Sequence, residues 1–206
     1  MGIISTLVIA TKNPAKVERY RNIIAGLDLP IIVLSLADFP EILKPEELGN
    51  TAEQNAVSKA VYYTAQTGFP CFSEDEELHA DFLPLGNQPG VYVRRIDGIN
   101  EATDDELLEY WERLLEKVPK DSRTGRWHFA YCIAFPGGEY KIFSRDREIL
   151  FHYPASPIRL AGWPLSSVCG ANEVSRPHSE WSEEEKNMVD AIVADNLAQM
   201  LKELLF

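Results

Sequence analysis

The run Ile3-Ile-Ser-Thr-Leu-Val-Ile-Ala10 is apolar and β-branched, and it breaks directly into Thr11-Lys-Asn-Pro-Ala-Lys16. The run is too short to span a membrane and reads as a buried central strand. Asn13 is a good helix cap and Pro14 suits the first helical position, so a helix is expected from Pro14 to about Ala25, with Gly26 ending it. A buried strand that feeds a helix at its tip is the start of an α/β fold, and it narrows the choices for the rest of the chain.

The same signals recur downstream. Ile31 to Leu36 reads as a second strand, and Pro40 to Gly49 as a polar, proline-punctuated loop. Thr51-Ala-Glu-Gln54 has capping-box spacing and opens a helix to about Thr67. Pro70 to Ser73 is expected as a short strand, followed by the acidic stretch Glu74-Asp-Glu-Glu77, with His79 to Asn87 irregular. Thr103-Asp-Asp-Glu106 opens an amphipathic helix that ends before Pro119. Trp127–Phe135 and Tyr140–Ile149 are strands, joined by a hairpin at Pro136-Gly-Gly138. From Tyr153 to Pro177 no periodicity is evident, and Ser182 caps a last helix over Glu183–Leu204. The expectation is α/β: one domain over residues 1–206 on a mixed central sheet with flanking helices, in two lobes around one cleft.

Composition sets limits on function. The formal net charge is -12 over 206 residues, which argues against a broad footprint for DNA or RNA. A protein this acidic that handles a polyanion must gather its cations locally or use a metal ion. Cys71, Cys132 and Cys169 form no close pair and lie near no histidine at ligand spacing, which disfavours a zinc site or a disulfide framework and fits a reducing compartment. No basic leader or cleavage pattern precedes the first strand, so the cytoplasm is the expected location and no membrane partner is expected.

Four groups could carry chemistry. The tip Thr11-Lys12-Asn13, with Lys16 one turn on, offers a helix N-terminus flanked by lysines, as an anion site would; taken alone, without the glycines of a P-loop, it reads rather as a capped helix with solvated lysines. Glu46-Glu47 before Gly49 and Glu74-Asp75 after a strand could supply carboxylates for a hard cation and a water. Asn55 and Lys59, four apart on one helix, can point at a common target. Lys186 opens the last helix behind three glutamates that could neutralise it alone.

Taken in order, these segments resemble the inosine triphosphate pyrophosphatase family. Leu7-Val-Ile-Ala-Thr-Lys-Asn-Pro-Ala-Lys16 is similar to its first strand and phosphate loop, and Glu46 to Ala60 to its second signature. Phe69 to Asp75 matches the segment bearing its acidic pair, and Pro89-Gly-Val-Tyr92 with Arg94 and Arg95 resembles a further turn. The resemblance implies an elongated, two-lobed α/β fold with a deep cleft, usually a homodimer. It implies magnesium-dependent water attack on a nucleoside triphosphate, giving a monophosphate and pyrophosphate. Carried over by position, Thr11, Lys12, Asn13, Lys16, Asn55 and Lys59 would bind substrate. Glu47 and Asp75 would hold magnesium, Asp75 would activate the water, Glu74 would support the pair, and Lys186 would neutralise phosphate charge.

The half that reads the base departs from the family. A Phe-Gly-Tyr-Asp-Pro stretch is replaced by Gly162-Trp-Pro-Leu-Ser-Ser167, in which Trp163 can still stack on a base. A Ser-His-Arg triplet in the last helix is replaced by Asp190-Ala-Ile192, with His178 or Arg176 in the preceding loop as the candidate to substitute, and Ser-Gly after the acidic pair by Glu76-Glu77. The implied activity is therefore nucleoside triphosphate hydrolysis with altered base specificity. The alternatives are a nucleotide-binding protein with impaired turnover, or a pyrophosphohydrolase for another nucleotide.

Overall fold

The computed structural model describes residues 5–46 and 48–202. Six strands, β1 (Ser5–Ile9), β2 (Ile31–Ser35), β3 (Cys71–Ala80), β4 (Thr124–Ala134), β5 (Tyr140–Phe151) and β6 (Cys169–Ala171), form one sheet in the order β2-β1-β3-β4-β5-β6. Strand β1 runs parallel to β2 and to β3, while β5 and β6 are antiparallel, so the sheet is mixed as expected. The helices are α1 (Pro14–Ala25), α2 (Ala52–Thr67), α3 (Asp104–Leu115) and α4 (Glu183–Lys202). None of the described helices is long and apolar enough to cross a membrane.

The chain divides into two compact units: residues 1–75, 130–144 and 190–206, and residues 76–129 and 145–189. In the first, the alternation of β3 separates two layers. Phe72 meets Tyr20 of α1 edge-on at 4.8 Å and lies parallel to Tyr131 of β4, which in turn stacks on Phe143 at 4.5 Å. The opposite face is lined by Ala130, Cys132 and Ala134, against which α2 packs Ala52, Ala56 and Ala60. Small side chains on both partners let the helix lie close, and the buried Thr64 hydroxyl donates to the Ala134 carbonyl at 3.1 Å.

The second unit is built around α3. Its Thr103 side chain and Glu106 form a reciprocal capping box, and Leu107, Leu108, Trp111 and Leu115 turn inward. Trp111 stacks on Phe151 of β5 at 5.1 Å, with Phe82 edge-on to both rings.

Most helix bounds follow the capping signals, but two stretches differ from expectation. The expected short strand at Pro70–Ser73 is one ten-residue strand that runs through Glu74–Glu77 to Ala80. Ion pairs to distant residues allow charged side chains inside a strand, which conceals it from hydrophobic patterning. Strand β6 went unread in the Pro- and Ser-rich stretch, because three residues carry no period. The hairpin forms as expected, closed by Gly138 N–H donating to the Phe135 carbonyl at 3.1 Å.

Candidate functional site

The tip between β1 and α1 is organised by its own side chains. Thr11 Oγ1 accepts from the Asn13 amide at 3.2 Å, and Asn13 Oδ1 accepts from the Ala15 amide at 3.0 Å. The Asn13 side chain is thus spent on the cap that the sequence suggested. Lys12 is exposed and makes no hydrogen bond or ion pair with a described residue. Lys16 turns inward, its ammonium 3.5 Å from Glu74 Oε2, with the two side chains 14% and 2% exposed.

Because consecutive strand residues point to opposite faces, the acidic pair is split. Glu74 lies on the α1 side, with Lys16. Asp75 lies on the α2 side, where its Oδ1 accepts from Lys59 Nζ at 2.8 Å, two positions after Ser73 donates to the Ala56 carbonyl at 2.5 Å. One turn before Lys59, the buried Asn55 accepts from the Gly49 amide at 2.9 Å, and a Cβ on Gly49 would overlap that same Asn55 oxygen. Asn55 therefore fastens the loop to α2, while Lys59 holds Asp75. Glu47 lies outside the described residues; the backbone two positions beyond it is the part that Asn55 anchors.

A second ion pair stands behind Glu74. Arg19, one turn after Lys16, donates through Nε and Nη2 to both carboxylate oxygens of Asp190 on α4, at 3.2 and 2.6 Å. Burial pushes the Glu74 carboxyl up, but the charges of Lys16 and Arg19 outweigh it and hold the group below its ordinary value of 4.5. Burial and then the Glu74 charge push the Tyr20 phenol well up. A carboxyl whose value falls on folding adds stability that is complete above about pH 4.5 and is lost as the pH falls through the folded value. Glu74→Gln is therefore expected to flatten the acid limb of the unfolding free energy below that pH, measured by urea titration across a pH series; an unchanged limb would remove Glu74 from the account.

In the second unit, Glu77 lies 3.4 Å from His79, and Glu76 and Arg147 both act on the Cys169 thiol, which burial above all pushes up to about 12. Glu77 thus has a partner within its own unit. Arg147 also lies over the Phe129 ring at 5.0 Å, and the buried Arg145 Nη1 has no hydrogen-bond partner among the described residues. Trp163 meets His178 edge-on at 6.2 Å, and His178 meets Trp181 at 4.5 Å. Arg176 is held by Glu185 at 2.5 Å and Lys186 by Glu183 at 2.6 Å, so both expected cations carry local counter-charges.

No group of three or more His, Cys, Asp or Glu side chains that could hold a metal gathers among the described residues. Magnesium does not require such a cage, since one or two carboxylates, substrate phosphates and water suffice. Asp75, a hard oxygen donor already facing a cation, fits one of those ligands.

The model of the Ham1 family matches residues 7–148. The chain belongs to the Ham1 family. It is similar to the dITP/XTP pyrophosphatase of Geobacter sulfurreducens, at 38% identity over 143 residues covering 68% of each chain. To the dITP/XTP pyrophosphatase of Bacillus licheniformis it is 32% identical over 200 residues, 96% of this chain and 95% of that one. A HAM1 protein from Coxiella burnetii shares the fold, with a TM-score of 0.77 at 24% identity over 97% of this chain and 99% of that one. The resemblance drawn from the sequence thus holds for both family and fold.

In this Ham1-family chain the Arg19–Asp190 pair escaped sequence reading. Asp190 was noted only as a replacement for a missing triplet, and its partner is 171 residues away. A signal existed in Arg19, three residues after Lys16 and so on the same side of α1.

Proposed function

We propose that this chain is a nucleoside triphosphate pyrophosphatase that cleaves between the α- and β-phosphates, releasing a monophosphate and pyrophosphate, with base specificity altered from its dITP/XTP-hydrolysing relatives. The observation that carries this is the Lys59–Asp75 contact of 2.8 Å, one position along β3 from the Lys16–Glu74 pair on the opposite face, on a strand that adjoins the one leading into the lysine-bearing tip. Lys12, Lys16 and the tip backbone bind phosphate oxygens. Lys59 orients Asp75, whose carboxylate accepts the proton of the attacking water. Glu74 stays ionised behind them and keeps Lys16 in place. Asp75 and Glu47 are the residues that hold magnesium, which when bound offsets the charge of the phosphates. Asn55 keeps the loop after Glu47 against α2.

Trp163, braced by the His178 ring, supplies a stacking face for the base. Stacking discriminates weakly among bases, whereas hydrogen-bonded readers reject analogues strongly. At the positions of the missing triplet, Asp190 is committed to Arg19, and Ala191 and Ile192 carry no polar side chain. The whole chain is proposed to act as one catalytic domain in a cytoplasmic homodimer; its three cysteines are free and buried, which fits a reducing compartment.

The test is pyrophosphate release with magnesium from a panel of common and deaminated nucleoside triphosphates. Metal-dependent release is expected, with kcat/KM differing between the best and worst bases by no more than about 100-fold, the scale that packing alone provides. Discrimination of about 10⁴ in favour of inosine or xanthosine triphosphate would show that a hydrogen-bonded reader persists and end the altered-specificity reading. No release from any member would end the enzyme reading in favour of a binding protein.

A further inference from the structure

The second unit contains a cavity of about 420 Å³ that shares no residue with the triphosphate site proposed above. Its walls are Phe151, Tyr153, Pro154, Pro157 and Pro177, and its polar groups are Lys120, Arg123, His152 and Glu180. The volume lies within the range of small-molecule sites.

The walls are fastened independently of any ligand. A 3-10 turn over Lys120–Ser122 places Lys120 and Arg123 three residues apart, an eclipsed spacing that puts both side chains on one side. The Arg123 carbonyl accepts from the Phe151 amide at 2.8 Å, and the Arg123 Nε donates to the Val118 carbonyl at 2.9 Å. The next strand residue, His152, donates its amide to the Val168 carbonyl at 2.7 Å, and Ser156 donates to the Ser167 carbonyl at 2.8 Å. Tyr153, Pro154 and Ala155 are thereby spanned between fixed points, and the Ala155 amide is held by Glu112 at 3.2 Å.

Several polar groups in the cavity remain unspent. The Lys120 side chain is exposed and makes no hydrogen bond or ion pair with a described residue. Arg123 uses Nε and Nη1 on carbonyls, leaving Nη2 without a hydrogen-bond partner among the described residues. The His152 Nε2 atom is buried and has no hydrogen-bond partner among them. Burial, opposed first by the Glu180 charge and reinforced to a lesser extent by Lys120 and Arg123, lowers the tendency of His152 to take a proton, so the ring is neutral and can donate or accept one hydrogen bond. The Glu180 carboxylate has no hydrogen-bond or ion-pair partner among the described residues either.

Two cations and an imidazole suit a group of charge near -2 with several acceptor oxygens, which a phosphomonoester supplies and a carboxylate does not. Inorganic phosphate alone would leave most of the cavity unfilled. The exposed carboxylate of Glu180 repels further negative charge but accepts from hydroxyl groups. We propose that this cavity is a binding site for a small phosphomonoester whose body carries hydroxyl groups, its phosphate on Lys120, Arg123 and His152 and its hydroxyls toward Glu180. The ribose hydroxyls of a nucleoside monophosphate and those of a free sugar phosphate share this chemistry.

The test is calorimetric titration of the intact protein, without divalent metal, with ribose 5-phosphate, a nucleoside 5'-monophosphate, ribose and inorganic phosphate. At least one phosphomonoester is expected to bind saturably and more tightly than inorganic phosphate, and ribose is expected not to bind. Lys120→Glu, a surface change with no partner to lose, is expected to weaken that binding by about tenfold or more. The His152 ring resonances are expected to shift with the ligand, and His152→Phe is expected to weaken its binding. Whichever phosphomonoester binds tighter identifies the source. Absence of saturable binding, indifference to Lys120→Glu, or loss of binding in Lys12→Glu instead would overturn the proposal. The last result would place the phosphate at the tip of α1. Neither arm depends on pyrophosphate release, so the two functional readings fail separately.

Discussion

Asp75→Asn is expected to lower magnesium-dependent pyrophosphate release by about 10³-fold, with the fold intact. The carboxamide has nearly the shape of the carboxylate, so packing on the α2 side of β3 is preserved. What it loses is the charge that pairs with Lys59 at 2.8 Å, the capacity to accept a proton from water, and a hard anionic oxygen for magnesium. Both side chains of the pair are largely buried, at 14% and 18% exposed, but the carboxamide oxygen can still accept from Lys59, so the stability cost is expected to be about 1–2 kcal/mol. The measurement is kcat for pyrophosphate release, with the thermal midpoint recorded on the same preparation. Undiminished turnover would remove Asp75 from the reaction. A collapse of the midpoint would instead make it a structural residue.

Asp190→Ala is expected to destabilise the protein by about 3 kcal/mol, and the double variant Arg19→Leu with Asp190→Ala to recover most of that. Arg19 makes two hydrogen bonds to Asp190, with its side chain 16% exposed, packed beside Tyr20 and near Glu74. Removing the carboxylate strands a guanidinium that water reaches poorly. Replacing both residues by apolar groups removes the desolvation cost together with the attraction. Urea unfolding of the two single variants and the double variant forms a cycle that isolates the pair. Additive losses would show that the residues do not act together. The same result bears on specificity: an Asp190 that is needed to hold α4 to α1 is not available to read a base.

Much of the scaffold was legible. The tip from Thr11 to Lys16 announced its own cap, because Asn13 and Pro14 act on backbone within two residues of themselves, and the same locality made Thr51 and Thr103 readable. The hairpin at Pro136-Gly-Gly138 was equally local; Gly137 and Gly138 both take positive φ, at 117° and 94°. Charged strand residues were not legible. Glu74 and Asp75 did not read as strand residues because their counter-charges, Lys16, Arg19 and Lys59, lie on helices elsewhere in the chain.

The sequence by itself determined the α/β class, the ends of most elements and the family, since those rest on local backbone preferences and residue order. Only the tertiary structure decided that Glu74 and Asp75 face opposite layers, that Asn55 secures a loop while Lys59 holds the carboxylate, and that Asp190 belongs to Arg19. Each of those outcomes is set by which side of a strand or helix meets which distant cation, and local preferences carry no information about that meeting.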